Sequence, residues 1–273
     1  MFEPRRPKTM LDATMATLAL IHHQTAYKLR TNNRNALVGI FLEVSQSLVM
    51  VGILLAMYYL IGIRNAPIRG DFLLYILTGI FCFMTHVKSV GAVSGAHSIS
   101  KGVLKHEPLN AFVLICAAAL AALYQQTFAL LIILGSYHLL FTPVYIYDPL
   151  GVAAMIGLAW FSGCCVGLVF LGIRPWFPSG SGVISTIYMR IQLILSGKMF
   201  VANLLPGFLL PWFIWNPLFH NIDQMRGYMF INYTPQRTVL LYPLYVAIAA
   251  LMIGLLINFT TRKYESLSWS MRS

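Results

Sequence analysis

The stretch Asn216-Pro217-Leu218-Phe219-His220-Asn221-Ile222-Asp223-Gln224-Met225-Arg226 holds four side chains that a membrane excludes, His220, Asn221, Asp223 and Arg226, between two strongly apolar regions. The tract around it, residues 200–233, carries nine aromatic residues: Phe200, Phe208, Trp212, Phe213, Trp215, Phe219, Tyr228, Phe230 and Tyr233. It is too polar to span lipid and too aromatic for an ordinary loop, so it reads as a segment held at a membrane surface. Pro206, Pro211, Pro217 and Pro235 cut residues 202–236 into short pieces. Apolar pieces of ~10 residues suit re-entrant or interfacial helices better than a span.

The chain on either side sets the class. Of its 273 residues 58% are hydrophobic and 10% charged, and the mean hydropathy is +0.73, the composition of a polytopic membrane protein. A spanning helix needs ~20 apolar residues, and the expected fold is all-α with six transmembrane helices in a single unit, residues 1–273. The spans are read at residues 37–63, 72–95, 109–139, 150–173, 183–201 and 239–259, with 202–236 as the re-entrant segment. Before them, residues 8–30 place Leu11, Met15, Leu18, Ile21 and Leu29 at helical spacing among Lys8, Asp12, His22, His23, Lys28 and Arg30. That pattern predicts an amphipathic interface helix lying on the membrane. No cleavable signal peptide is expected in the basic, polar first 36 residues.

The net charge of +11 is a matter of topology. Arg5, Arg6, Lys8, Lys28, Arg30 and Arg34 precede the first span, Lys101 and Lys105 follow the second with Lys88 inside it counted to the same side, Arg174 follows the fourth, and Arg262, Lys263 and Arg272 follow the last. Cations gathered at span ends on one side put both termini in the cytoplasm and the 202–236 segment outside, and they argue against nucleic acid as a partner. The four cysteines, Cys82, Cys116, Cys164 and Cys165, fall in apolar segments without metal-ligand spacing and read as small buried hydrophobes.

Candidate chemistry is sparse. Arg190 and Lys198 interrupt the fifth span, and Glu43 sits six residues inside the first beside Ser45, Gln46 and Ser47. Ionisable groups at that depth are pore or cavity candidates; Glu43 either faces a polar cavity, pairs with a basic residue on a neighbouring helix, or is held near the interface by surrounding donors. The pairs Gly91/Gly95 and Gly163/Gly167 permit close helix approach. No nucleotide loop is present: Gly197-Lys198 is followed by Met199, and Gln192 stands five residues before Gly197. No catalytic constellation appears, and His22/His23 and His97/His106 have no metal-site spacing.

Taken together these residues resemble the transmembrane subunits of ABC-2 exporters, in particular the permeases that export capsular polysaccharide or O-antigen. The run from Lys28-Leu29-Arg30 through Arg34-Asn35-Ala36-Leu37-Val38-Gly39 resembles the basic interface helix leading into span one, and Glu43 resembles its span-one glutamate, with Val44 where a proline is common. Leu195-Ser196-Gly197-Lys198-Met199-Phe200 with Asn203-Leu204-Leu205-Pro206 resembles an SG-x-x-F…LP signature. Asn216-Pro217-Leu218-Phe219-His220 with Asp223 and Arg226 resembles the NPL-x-H-x-x-E/D-x-x-R signature, the most specific of the set. Lys198 departs from a position that is small or apolar in relatives.

The resemblance implies a non-enzymatic transport subunit in the bacterial inner membrane, paired with a second copy of itself around one path. Two ATP-binding cassette subunits would carry ATP and Mg, and this chain would bind no cofactor. The implied partners are a polysaccharide, the bilayer and periplasmic or outer-membrane export components. It assigns Leu18, Lys28 and Arg30, with His97, Ser100, Lys101, Leu104 and Lys105, to coupling with the ATPase subunit. It assigns Asn216, Pro217, His220, Asp223, Arg226, Trp212 and Trp215 to a periplasmic gate. Other readings are an ABC-2 exporter of a lipid-linked glycan, a teichoic acid or a drug, and a proton-coupled secondary transporter.

Overall fold

The computed structural model describes residues 9–31, 36–62, 68, 70–96 and 111–270. These residues form α1 (Met10–Thr31), α2 (Ala36–Ile61), α3 (Phe72–Ser94), α4 (Ala111–Leu140), α5 (Pro149–Ile173), α6 (Pro178–Leu195), a 3-10 turn (Ala202–Leu204), α7 (Leu210–Ile214), α8 (Pro217–Met229) and α9 (Tyr242–Ser270), with no strand among them. The expected coupling positions His97, Ser100, Lys101, Leu104 and Lys105 lie outside the described residues.

Five helices, α2 to α5 and α9, are long and apolar enough to cross a bilayer. The expected fifth span departs from this. It forms α6, a helix of 18 residues whose apolar part is Gly180–Leu195, about 27 Å at ~1.5 Å per residue. It starts at Pro178, which suits a first helical turn, and stops at Leu195 instead of residue 201. The stop has a local cause: Gly197 adopts φ +71°, a left-handed conformation that ends a helix. The last helix begins at Tyr242 rather than 239 and runs on to Ser270.

The other helix starts follow from capping. Asp71 accepts from the Leu73 N–H (3.0 Å) ahead of α3, and Asp148 accepts from Leu150 and Gly151 (both 3.1 Å) ahead of Pro149. Asn216 does the same for α8, accepting from Leu218 at 3.0 Å with Pro217 in the first turn. Each cap satisfies amide donors that would otherwise be orphaned at a helix end.

α3 is the hub. Within the apolar window of each span, α3 is 83% buried, against 28% for α2 and 17% for α9. It packs on α5, α4, α8, α2 and α6, while α9 leans on α5 and α1 on α4. In lipid there is no hydrophobic drive between helices, so close backbone approach and buried hydrogen bonds hold such a bundle. Trp160 donates to the Ala119 carbonyl (2.8 Å), joining α5 to α4, and Asn258 donates to Leu168 O (2.9 Å), joining α9 to α5.

The glycine pairs behave differently. A Cβ at Gly163 would sit 2.4 Å from the His86 carbonyl, and one at Gly167 2.9 Å from the Val90 carbonyl, so this pair sets the α3–α5 contact. Gly91 would meet only the Met189 sulfur at 4.0 Å, and Gly95 is the C-cap of α3. Gly163→Val is therefore expected to lower unfolding stability in micelles by roughly 1–3 kcal/mol. Gly157→Val on the same helix, where a Cβ meets nothing within 4 Å, is the matched control and leaves stability close to wild type.

Candidate functional site

The motif that opens the sequence reading folds into a buried bracket behind the end of α6. α8 is enclosed on nearly every side: Leu218, Phe219, His220, Asn221, Ile222, Asp223, Met225, Arg226 and Met229 are all buried. A helix so enclosed must satisfy its polar side chains internally, since an unpaired buried polar group costs about 1–3 kcal/mol. His220, Asp223 and Arg226 recur every third residue, so they lie along one side of the helix, and each reaches a different piece of the surrounding chain.

Arg226 is completely buried, at 0% exposure. Its Nη1 donates to the carbonyls of Gly197 (3.3 Å) and Phe200 (2.5 Å), and its Nη2 to that of Lys198 (2.7 Å). All three carbonyls belong to the turn after α6, where that of Gly197 also accepts from the Phe200 N–H at 3.1 Å. The guanidinium also lies 4.2 Å over the ring of Tyr75 on α3, and the hydroxyls of Tyr58 and Tyr75 both donate to Met199 O. One planar fork thus fastens α8 to the α6 terminus and to the hub helix.

Asp223 fastens the other side. Its Oδ1 accepts from the Ala202 N–H (3.3 Å) and the Tyr233 hydroxyl (2.6 Å), and its Oδ2 from the Thr238 hydroxyl (2.8 Å). His220 Nε2 donates to Ile214 O (2.8 Å), and Nδ1 accepts from the Val239 N–H (2.9 Å). That pairing fixes a neutral imidazole, and burial pulls its pKa below the ordinary value, with the hydrogen bond to Ile214 O and then the Asp223 charge opposing the shift. Asn216, besides capping α8, donates to Gln192 Oε1 (2.6 Å) and Leu195 O (2.8 Å).

The remaining candidates separate from this bracket. Trp212 and Trp215 are 74% and 80% exposed, and Phe208 is exposed as well. Lys198 is buried, with Nζ 4.0 Å above the ring of Phe83 and no hydrogen-bond partner among the described residues. Arg190 lies on the exposed face of α6, along a stripe with Val183, Ile187, Ile191 and Ile194. Glu43 is paired: Lys88 Nζ donates to its Oε1 at 3.0 Å and Gln126 Nε2 to its Oε2 at 2.9 Å, so α2, α3 and α4 meet at this carboxylate. On α1, Leu18 and Arg30 are exposed, and burial draws the ammonium of Lys28 down to about 8.

Sequence reasoning missed His86. It sits fully buried on α3, with Nδ1 3.0 Å from Ser162 Oγ on α5 and Nε2 2.9 Å from the Tyr188 hydroxyl on α6. Gln192 donates to that same hydroxyl (2.8 Å) and accepts from Asn216. The directions are consistent: Tyr188 gives its proton to Nε2, Nδ1–H donates to Ser162, and Ser162 donates to Ala159 O. A continuous hydrogen-bonded chain thus runs from the cap of α8 into the middle of the bundle. A histidine inside an apolar span was the available signal.

No family model matches the chain. Among curated proteins it is similar to two Escherichia coli proteins, each a polysialic acid transport protein KpsM. One is 24% identical over 222 residues, 79% of this chain and 83% of that relative, and the other 26% identical over 204 residues, 72% and 76% respectively. These two similarities support a distant relation to the ABC-2 polysaccharide-export permeases. The apolar helices and these similarities indicate a multi-pass membrane protein with no strand among the described residues, and the bracket is built from Asn216, His220, Asp223 and Arg226.

Proposed function

We propose that this chain is the membrane subunit of an ATP-driven exporter that moves a polysaccharide across the bacterial inner membrane. Two copies enclose one path, and a separate ATP-binding cassette subunit hydrolyses Mg-ATP. Both termini are cytoplasmic, α6 supplies a short fifth crossing, and residues 202–236 form re-entrant helices at the periplasmic exit. α1 and the 97–105 stretch receive the ATPase. The observation that carries this reading is the buried bracket of Arg226 and Asp223, which ties the exit segment to the end of α6 and so lets movement of that helix carry the segment with it. In this role Asn216, His220, Asp223 and Arg226 brace the gate, while the exposed Trp212 and Trp215 are the gate residues free to meet the polymer.

Reconstitution of the chain with its cognate ATPase in proteoliposomes tests the reading. Polysaccharide export is expected to require ATP and to stop when the Walker lysine of the partner is removed. Transport driven by a proton gradient without any ATPase would overturn it.

A further inference from the structure

At the end of the bundle where α8 finishes, the chain builds a cleft that the bracket does not use. It encloses about 300 Å³ between the start of α3, the end of α4, the α4–α5 loop and the residues after α8, at the lower end of the range for small-ligand sites. Tyr137 is buried at its base, while Tyr145 and Tyr147 stand 89% and 62% exposed at its edge, with Phe230 also in the wall. The hydroxyls of Tyr145 and Tyr147 have no hydrogen-bond partner among the described residues.

The cleft is braced. The Tyr137 and Thr142 hydroxyls both donate to Asp71 Oδ2, and the Leu73 N–H to Oδ1. Burial disfavours the Asp71 charge, but these hydrogen bonds outweigh it and hold the carboxyl below its usual pKa, so it remains an anion. The Tyr147 and Asp148 amides donate to Met229 O (3.3 Å) and Tyr228 O (2.9 Å), pinning the loop to the end of α8.

These features select a ligand chemistry. Aromatic faces beside uncommitted phenol hydroxyls suit a ring with an apolar C–H face and hydroxyls around its edge. A half-buried carboxylate, with no cation among the described residues of the wall, disfavours phosphates and acidic sugars. An acyl chain has no use for the phenol hydroxyls or the carboxylate.

We propose that this cleft is a carbohydrate subsite that stacks one neutral hexopyranose unit on Tyr145 and Tyr147. The inference rests on the exporter reading for its biological setting, since it places a weak glycan contact beside the exit segment.

Saturation-transfer difference NMR on the full-length permease with its ATPase in nanodiscs tests it, using maltohexaose as the neutral probe and a short sialic acid oligomer as the acidic one. Wild type is expected to transfer saturation to the maltohexaose ring protons, and less to the acidic probe. The pair Tyr145→Ala with Tyr147→Ala lowers the transfer by roughly tenfold, whereas Tyr145→Phe with Tyr147→Phe keeps most of it because the stacking faces remain. Absent transfer in wild type, or transfer undiminished in the alanine pair, overturns the subsite. Transfer that disappears only in Trp212→Ala with Trp215→Ala puts the contact on α7 and overturns it equally. Failed maltohexaose binding with ATP-dependent export intact removes this subsite alone; absent export in wild type removes the exporter reading whatever the spectra show.

Discussion

Arg226→Ala is expected to release residues 196–241 from the bundle and to abolish export. The substitution deletes the donor shared by the carbonyls of Gly197, Lys198 and Phe200; Gly197 O keeps the Phe200 N–H at 3.1 Å, while the Lys198 and Phe200 acceptors lose their donor. Each buried acceptor left without a donor costs about 1–3 kcal/mol, and losses of that size are a large part of a typical folding free energy. Asp223 does not compensate, because its oxygens act as acceptors, from Ala202, Tyr233 and Thr238, and the orphaned carbonyls need a donor. Arg226→Lys restores the charge without the fork that spans carbonyls from 197 to 200, so it recovers only a minor part of the loss. Thermal unfolding in micelles and hydrogen exchange at residues 197–204 provide the measurements. An alanine variant with wild-type melting, protection and export would mean that the bracket holds nothing.

The bracket explains what the sequence made legible and what it hid. The prolines predicted short re-entrant helices over residues 202–236, and the need to satisfy polar groups near lipid made a buried role as natural as a pore-lining one. The sequence could not choose between them, because the partners of Arg226 are main-chain carbonyls, which carry no residue signature. The Glu43 pairing with Lys88 and Gln126 was within reach, as one of three stated outcomes, because both partners stand inside neighbouring spans. Arg190 and Lys198, eight residues apart on what read as one helix, part company in the structure. The helix ends between them, leaving Arg190 on the exposed face of α6 and Lys198 packed against Phe83. The extent of α6 was misjudged for the same reason: apolarity continues to Val201, and only the positive φ of Gly197 stops the helix. His86 was overlooked because its partners, Ser162 and Tyr188, are unremarkable residues for apolar helices.

Gly197→Ala is the second large effect. Two costs add at this position. The φ of +71° is left-handed, which an L side chain adopts at about 1–2 kcal/mol. A Cβ there would also lie 2.2 Å from Phe219 Cδ2 and 2.7 Å from Cε2. Phe219 has little room to yield. It is buried at 2% exposure, clusters with Ala202, Leu205 and Phe213, and meets the Phe213 ring at 5.6 Å between centroids. Overpacking of this kind adds about 1–3 kcal/mol, for a total on the order of 2–5 kcal/mol. Gly62→Ala isolates the first cost, since Gly62 has φ +81° and its Cβ would meet nothing within 4 Å. Combining Gly197→Ala with Phe219→Leu isolates the second, because the smaller side chain relieves the overlap while the dihedral strain remains. The expected order of melting temperatures is Gly62→Ala well above Gly197→Ala, with a favourable coupling energy in the Gly197/Phe219 double-mutant cycle. Equal losses at Gly62 and Gly197, with no coupling to Phe219, would show that α8 shifts freely under the α6 terminus, and the bracket would then be too loose to carry the motion of α6 to the exit segment.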